Sequence, residues 1–237
     1  MSNDTIKRKK FTIVFINKSE KFSPKTGDRM IETFFKVYPQ EAKLYNKNTR
    51  KLVTFVIDPE YTAVAAASGG VIKVNPEWMI KNPEDLDVVT HEAMHIVQSY
   101  PGWAGPGWIT EGIADYVRHK LGVNNAASKW SLPALTDKHK YTDAYRVTAR
   151  FFVWVEKTII KRWCRNWIML CELKLIPKIS GLKKPVKRLM SFGIFIKKSG
   201  NLNMRQGVLA IGILLISMAS IAQNKTTFTA AEYVNVF

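Results

Sequence analysis

Five residues between positions 91 and 115 have the types and spacing to do chemistry. His91 and His95 stand four apart in His91-Glu92-Ala93-Met94-His95. On a helix, positions i and i+4 share a face, so two imidazoles can be presented to one point. That is half of a tetrahedral zinc site. Glu92 follows the first histidine directly, where its carboxylate can reach a water on the metal and take its proton. Glu111 comes sixteen residues after His95 and Asp115 four after that, again on one helical face. Glu111 can complete the protein ligands, and Asp115 can hold a ligand histidine without touching the metal itself.

A bare H-E-x-x-H pattern arises by chance in many helices, so its surroundings decide its weight. Asn82-Pro83-Glu84-Asp85 reads as a helix start: Asn82 caps, Pro83 suits the first turn, and the acids favour the positive end of the dipole. Leu86, Val88, Val89, Met94 and Val97 then give the apolar faces of a mostly buried helix. Histidines on such a helix are costly to bury unpaired, which favours a ligand role. Ile109 to Leu121 reads as a second helix carrying Glu111 and Asp115. A Gly/Pro/Trp turn from Pro101 to Trp108 can fold it back on the first, with Trp103 and Trp108 covering the helix ends. His119 and His139 are expected at the surface.

The upstream chain supplies the elements that must position this pair. Residues 1–10 are polar and basic, with no element expected. Phe11 to Ile16 reads as the first strand. Ser23-Pro24 opens a helix with Met30, Ile31, Phe34 and Phe35 as its core stripe. Pro39 is expected to start a second short helix carrying Ala42, Leu44 and Tyr45. Leu52 to Ile57 reads as a buried strand. Tyr61 to Pro76 reads as a hairpin turning at Ser68-Gly69-Gly70. Downstream, residues 122–140 are loop-like, and Tyr141 to Glu156 reads as a third helix on which Tyr145, Thr148, Phe152 and Val155 share a face.

Three stretches, THEAMHIVQ, GPGWITEGIADYVR and DAYRVTARFF, resemble the basic secretory protein family, a group of zinc-peptidase-like proteins from plants and bacteria. The resemblance covers about residues 11–156. It implies an α+β, zincin-like fold: a small twisted sheet packed on an active-site helix. It places His91 and His95 on the ligand histidines of a Zn2+ ion and Glu92 on the catalytic acid. Glu111 and Asp115 fall on the family's E-G-I-A-D motif. Glu111 matches the third ligand of zincins with a downstream glutamate, but the gap is shorter here and leaves Asp115 open as that ligand. The strand beside the active-site helix in such folds is a sheet edge that pairs with extended peptides, and Val71 to Val74 is the candidate. A peptidase of this type also needs an oxyanion donor; Tyr145, Tyr141, Tyr116 and Arg146 are available, and Tyr145 is the preferred candidate. The expected function is zinc-dependent hydrolysis of peptide bonds in a peptide or protein substrate, by a monomer that is secreted or held in the cell envelope. The alternative is a catalytically inactive, zinc-containing secreted protein of binding or defence type.

Composition sets bounds on this reading. The 237 residues are 46% apolar and carry a formal net charge of +17, which at first suggests nucleic acid or an anionic surface. The charge is unevenly spread. From Lys157 onward lie 14 Lys and Arg against two acids, Glu172 and Glu232, leaving 22 basic and 17 acidic residues before it. The metal-site region is therefore only mildly basic, and nucleic acid is not an expected partner. Both cysteines, Cys164 and Cys171, also fall in this last third, so residues 1–156 hold neither a disulfide framework nor a thiol nucleophile.

The texture changes at Lys157, and residues 157–203 do not resemble the family's C-terminal helices. Taking each codon's third base with the next codon's first two, from Arg162 to Phe192, one permissible codon choice gives an amphipathic, acid-containing sequence. Its end, TGKTVDELW, is similar to the family's C-terminal end. The expectation is a frameshift near residues 157–162, testable on the DNA. Residues 204–237 open with a signal-like segment: Met204 and Arg205, an apolar run, then Ser220-Ile221-Ala222 as a small-x-small site. The uncharged stretch 206–224 offers membrane contact as an alternative, although it is short for a span of about 20 residues. No N-terminal targeting signal is visible.

Overall fold

The computed structural model describes residues 2–100 and 106–158. The frameshift reading, the signal-like segment, both cysteines and Trp103 lie outside them. The fold is mixed α+β, and among the described residues no helix is long and apolar enough to cross a membrane.

The chain opens with two antiparallel strands, β1 (Ser2–Arg8) and β2 (Phe11–Asn17). The polar first ten residues thus form a strand, contrary to expectation. Its charged side chains face solvent, and its backbone pairs with an apolar neighbour whose pattern alone specifies the ladder. Helix α1 spans Pro24–Leu44, followed by β3 (Leu52–Ile57), β4 (Ala65–Ser68) and β5 (Val71–Val74). Gly69 and Gly70, both at positive φ, turn the β4–β5 hairpin, a conformation glycine adopts without steric cost. The five strands run in the order β1-β2-β3-β5-β4, with β2, β3 and β5 parallel.

That order corrects one expectation. Val71 to Val74 is an interior strand, bonded on both sides, and the open edge beyond it is β4. The backbone N–H of Asn75 donates to the Val64 carbonyl. Backbone groups of alternate residues point to opposite sides of a strand, so Ala65 and Ala67 direct their N–H and C=O groups to the open edge.

Helix α1 corrects another. It runs unbroken through Pro39. Val37, Tyr38, Glu41 and Ala42 on both sides of the proline are essentially fully buried, and this packing keeps the helix continuous although one backbone donor is lost. Tyr38 and Phe34 stack on each other, Phe34 meets Phe55 edge-on, and Tyr38 meets Phe11 edge-on. These contacts seat α1 on the sheet face formed by the odd-numbered residues of β2 and β3.

A short helix α2 (Pro76–Lys81) follows, capped by the Asn75 side chain on the Glu77 N–H. Asn82 ends this helix, its side chain bonding the Trp78 carbonyl. The next helix, α3, begins only at Val88 and runs to Gln98. The acids expected to start it have tertiary partners instead: Glu84 pairs with Arg29, and Asp85 with Arg118 and the Trp78 indole. Helix α4 spans Gly107–Leu121 and α5 spans Tyr145–Thr158, starting four residues later than expected. The backbone at Ala144 and Tyr145 is left-handed, which prevents the helix from extending back to Tyr141.

Candidate active site

Helix α3 lies under the sheet's β4 edge and antiparallel to α4, and the two helices are tied at both ends. At one end the Gln98 amide donates to the Thr110 carbonyl at 2.9 Å. At the other, the Asp87 carboxylate accepts the N–H groups of Val123 and Asn124 at 2.8 and 2.5 Å. Helix α5 then packs on α4 through Gly112. A methyl group added there would stand 2.2 Å from a Thr148 side-chain carbon and 2.9 Å from Phe152. The glycine of the E-G-I-A-D motif is thus the contact that lets α5 close on the site.

Between α3 and α4, three ring and carboxylate atoms converge. His91 Nε2 and His95 Nε2 lie 3.1 Å apart, and Glu111 Oε2 lies 3.2 Å from the first and 3.3 Å from the second. Four ligands at about 2.0–2.1 Å from a tetrahedral ion stand about 3.3–3.4 Å from one another. The triangle therefore has nearly the edge lengths that three ligands of one ion require, and these residues could hold a metal ion.

The protonation of the rings strengthens this. His91 Nδ1 lies 2.7 Å from Asp115 Oδ1. A carboxylate only accepts, so Nδ1 carries the hydrogen. His95 Nδ1 lies 2.8 Å from Gln98 Oε1. The Gln98 amide nitrogen is committed to the Thr110 carbonyl, so its oxygen faces His95, and that Nδ1 also carries the hydrogen. With both rings neutral, two lone pairs and a carboxylate point at one another. Such a cluster must take up a cation or a proton. Burial works against charge on His91, but the hydrogen bonds it donates to Asp115 and Glu111 overcome it and push the imidazole up to about 10. Burial likewise raises the Glu111 carboxyl, yet its two histidine partners hold it well below the usual carboxylate range.

Glu92 sits beside this triangle, buried, and its Oε2 has no hydrogen-bond partner among the described residues. Burial pushes its proton affinity up; the two histidines oppose this, and Glu111 and Asp115 add to it. Tyr145 stacks on His91, with ring centroids 6.1 Å apart and planes at 20°, and is 55% exposed to the cleft. The field of Glu111 raises its phenol. Of the other oxyanion candidates, Arg146 lines the same cleft, and Tyr141 and Tyr116 do not. Tyr141 packs against Trp108 and Phe151, Tyr116 is buried in the core, and Arg146 is exposed and reaches the Ser131 carbonyl. Trp108 covers Tyr141 and Phe152 near the start of α4. His119 is exposed and His139 half-buried.

Two residues of the site went unnoticed in the sequence. Gln98 holds His95 as Asp115 holds His91; its place three residues after His95, one turn along the same face, was a usable signal. Tyr61 lines the opposite wall, its hydroxyl donating to the Ala65 carbonyl at 3.1 Å. Burial and the nearby Glu92 raise its phenol. Nothing in its local sequence marks it. All these groups open on one cleft of about 1320 Å³, which runs past the β4 edge and along α3 and α4.

No curated protein and no solved structure matches the chain. A family model described as "Peptidase of plants and bacteria" matches residues 2–165. That span covers more than two-thirds of the sequence and includes every residue of the donor triangle. The chain therefore belongs to this family, BSP, the peptidases of plants and bacteria.

Proposed function

We propose that this protein is a zinc-dependent peptidase of zincin-like design, with His91, His95 and Glu111 as the protein ligands and Asp115 and Gln98 fixing the two rings. The observation that carries the reading is the convergence of three acceptors at 3.1–3.3 Å with both Nδ1 hydrogens committed elsewhere. Two imidazoles and one carboxylate, with the fourth direction open to a cleft, form a donor set suited to catalytic zinc. A zinc ion held there supplies a Lewis acid that acidifies water and polarises a carbonyl.

The chain's own groups perform the remaining steps. Glu92 Oε2 takes the proton of the attacking water as the scissile carbon becomes tetrahedral. It then returns that proton to the leaving amine. A carboxyl whose proton affinity is raised by burial is suited to both transfers. Tyr145, beside His91 and open to the cleft, offers its hydroxyl to the developing oxyanion. The peptide lies extended along β4, where Ala67 presents both backbone groups and Ala65 its N–H. The edge strand assigned to this task in the sequence was β5; β4 takes its place because it alone borders the cleft with unpaired backbone.

The experiment is a comparison of wild type with Glu92→Gln. Wild type should contain about one zinc per chain and lose peptide cleavage to a chelator. The variant should keep the zinc and lose activity by about 10²-fold or more. A variant that cleaves peptides at the wild-type rate would refute the mechanism. A wild type without zinc would refute the site.

A further inference from the structure

We propose that the Arg118 end of the cleft is a subsite that binds a carboxylate group of the substrate, two or three residues from the scissile bond. The inference rests on the peptidase reading for its context, but its test separates the two.

Arg118 lies on α4 at i+7 from Glu111 and i+3 from Asp115, so all three line one face of the helix. It is only 5% exposed. Its guanidinium is held on three sides: Nη2 on Asp85 Oδ1 at 2.5 Å, Nε on Asn125 Oδ1 at 3.0 Å, and one flat face on the Trp130 ring, 4.5 Å from the centroid. Asp85 in turn is fixed by the Trp78 indole at 2.9 Å. Among the described residues Nη1 has no partner, and Arg118 lines the cleft. A rigid, buried guanidinium with one free nitrogen is a preorganised donor for an oxygen anion.

Charge at this end favours an anion. Asp85 is matched by Arg118, and Glu84 by Arg29. Lys81 and Lys129, both exposed on the cleft wall, have no ionic partner among the described residues. That leaves Lys81 and Lys129 as the two charges without an ionic partner at this end of the cleft, beside the Trp78 and Trp130 indoles. Seven helical residues advance about 10 Å, and an extended peptide covers that distance in about three residues. A glutamate or aspartate side chain at that distance would reach Nη1, as would a free C-terminal carboxylate.

The test uses the full chain and two readouts. First, zinc-loaded enzyme is given matched peptides that carry Glu or Gln at each position within three of the scissile bond, with a free or amidated C-terminus. One charge-assisted hydrogen bond corresponds to a preference of about tenfold or more in kcat/KM. That preference should shrink in roughly 1 M salt, where screening reaches about 3 Å, and in Lys81→Gln/Lys129→Gln. Sensitivity to Glu against Gln identifies a side chain; sensitivity to amidation identifies the C-terminus. Second, the same peptides are titrated into Glu92→Gln while tryptophan fluorescence is followed, with Trp130→Phe as the control that assigns the signal. This readout needs no turnover. If no peptide is cleaved but the acidic peptide binds with a Trp130-dependent signal, the peptidase reading fails and the subsite stands. If acidic, neutral and amidated peptides are cleaved and bound alike, the subsite is refuted. Arg118→Met is a further variant; should it fail to fold, the lysine pair still decides.

Discussion

Glu41 is the group whose replacement should most change this protein's stability. It lies in the last turn of α1, is 0% exposed, and neither carboxyl oxygen has a hydrogen-bond partner among the described residues. Burial pushes its carboxyl well above the ordinary value of 4.5; His91 opposes that and Asp87 adds to it. Two costs follow. Even when neutral, a buried polar group without a partner costs about 1–3 kcal/mol. In addition, the folded state binds the proton more tightly than the unfolded one. Stability from this group is therefore complete below about pH 4.5 and is lost as pH rises, by about 1.4 kcal/mol per unit, until the folded value is reached. Glu41→Met removes both costs and should gain at least about 1–3 kcal/mol, the cost of the unmade hydrogen bonds, with a further gain that grows as pH rises. Glu41→Gln removes only the pH-dependent part, so its gain should be small near pH 4.5 and increase with pH. The assay is urea unfolding of the three proteins from pH 4.5 to 8. The wild-type curve should fall away from both variants as pH rises. If Glu41→Met is no more stable than wild type at pH 7, or if the curves run parallel, Glu41 is satisfied and the reasoning fails.

Other outcomes follow from the site. Asp115→Asn and Gln98→Leu should each weaken zinc binding by about 10–100-fold, read by competition with a chromogenic chelator; full affinity in both would show that the rings need no fixing. Gly112→Ala should destabilise by about 1–3 kcal/mol through overpacking against Thr148 and Phe152. It should also lower kcat by displacing Tyr145, and an unchanged melting temperature would refute the close α4–α5 contact. Tyr145→Phe should reduce kcat with little change in KM, since the hydroxyl acts on charge that develops only in the transition state; a change in KM alone would assign it to substrate binding.

The local patterns were legible and the tertiary ones were not. His91, His95, Glu111 and Asp115 could be read as one site because helical periodicity fixes which residues share a face, and β2, β3 and the Gly69-Gly70 turn could be read from residue type. Strand order could not. Whether Val71–Val74 is an edge or an interior strand depends on how a four-residue hairpin docks on β3, and both arms are short and apolar. The acids at 84 and 85 looked like helix-start residues because isolated dipole rules favour them there. In the fold they are taken by Arg29 and Arg118, and α3 starts later. Pro39 looked like a break because the propensity of one residue was weighed without the buried stripe on either side of it. Each error has one cause: a long-range partner outweighed a local preference worth about 1–3 kcal/mol.

The same long-range partners explain how the donor triangle can exist at all. Three acceptors at van der Waals distance repel until a cation or a proton arrives, so helices free to move would separate. Here α3 and α4 are held at one end by Gln98 on Thr110 and at the other by Asp87 on Val123 and Asn124. Gln98 serves both purposes, since the amide that joins the helices is also the one that turns His95. Asp85, which breaks the expected helix start, anchors Arg118 one turn beyond Asp115. The residues that departed from the local rules are thus the ones that keep the helices in register around the site. A sequence pattern could name the candidate ligands, but only the ties between the helices bring Glu111 within reach of both imidazoles.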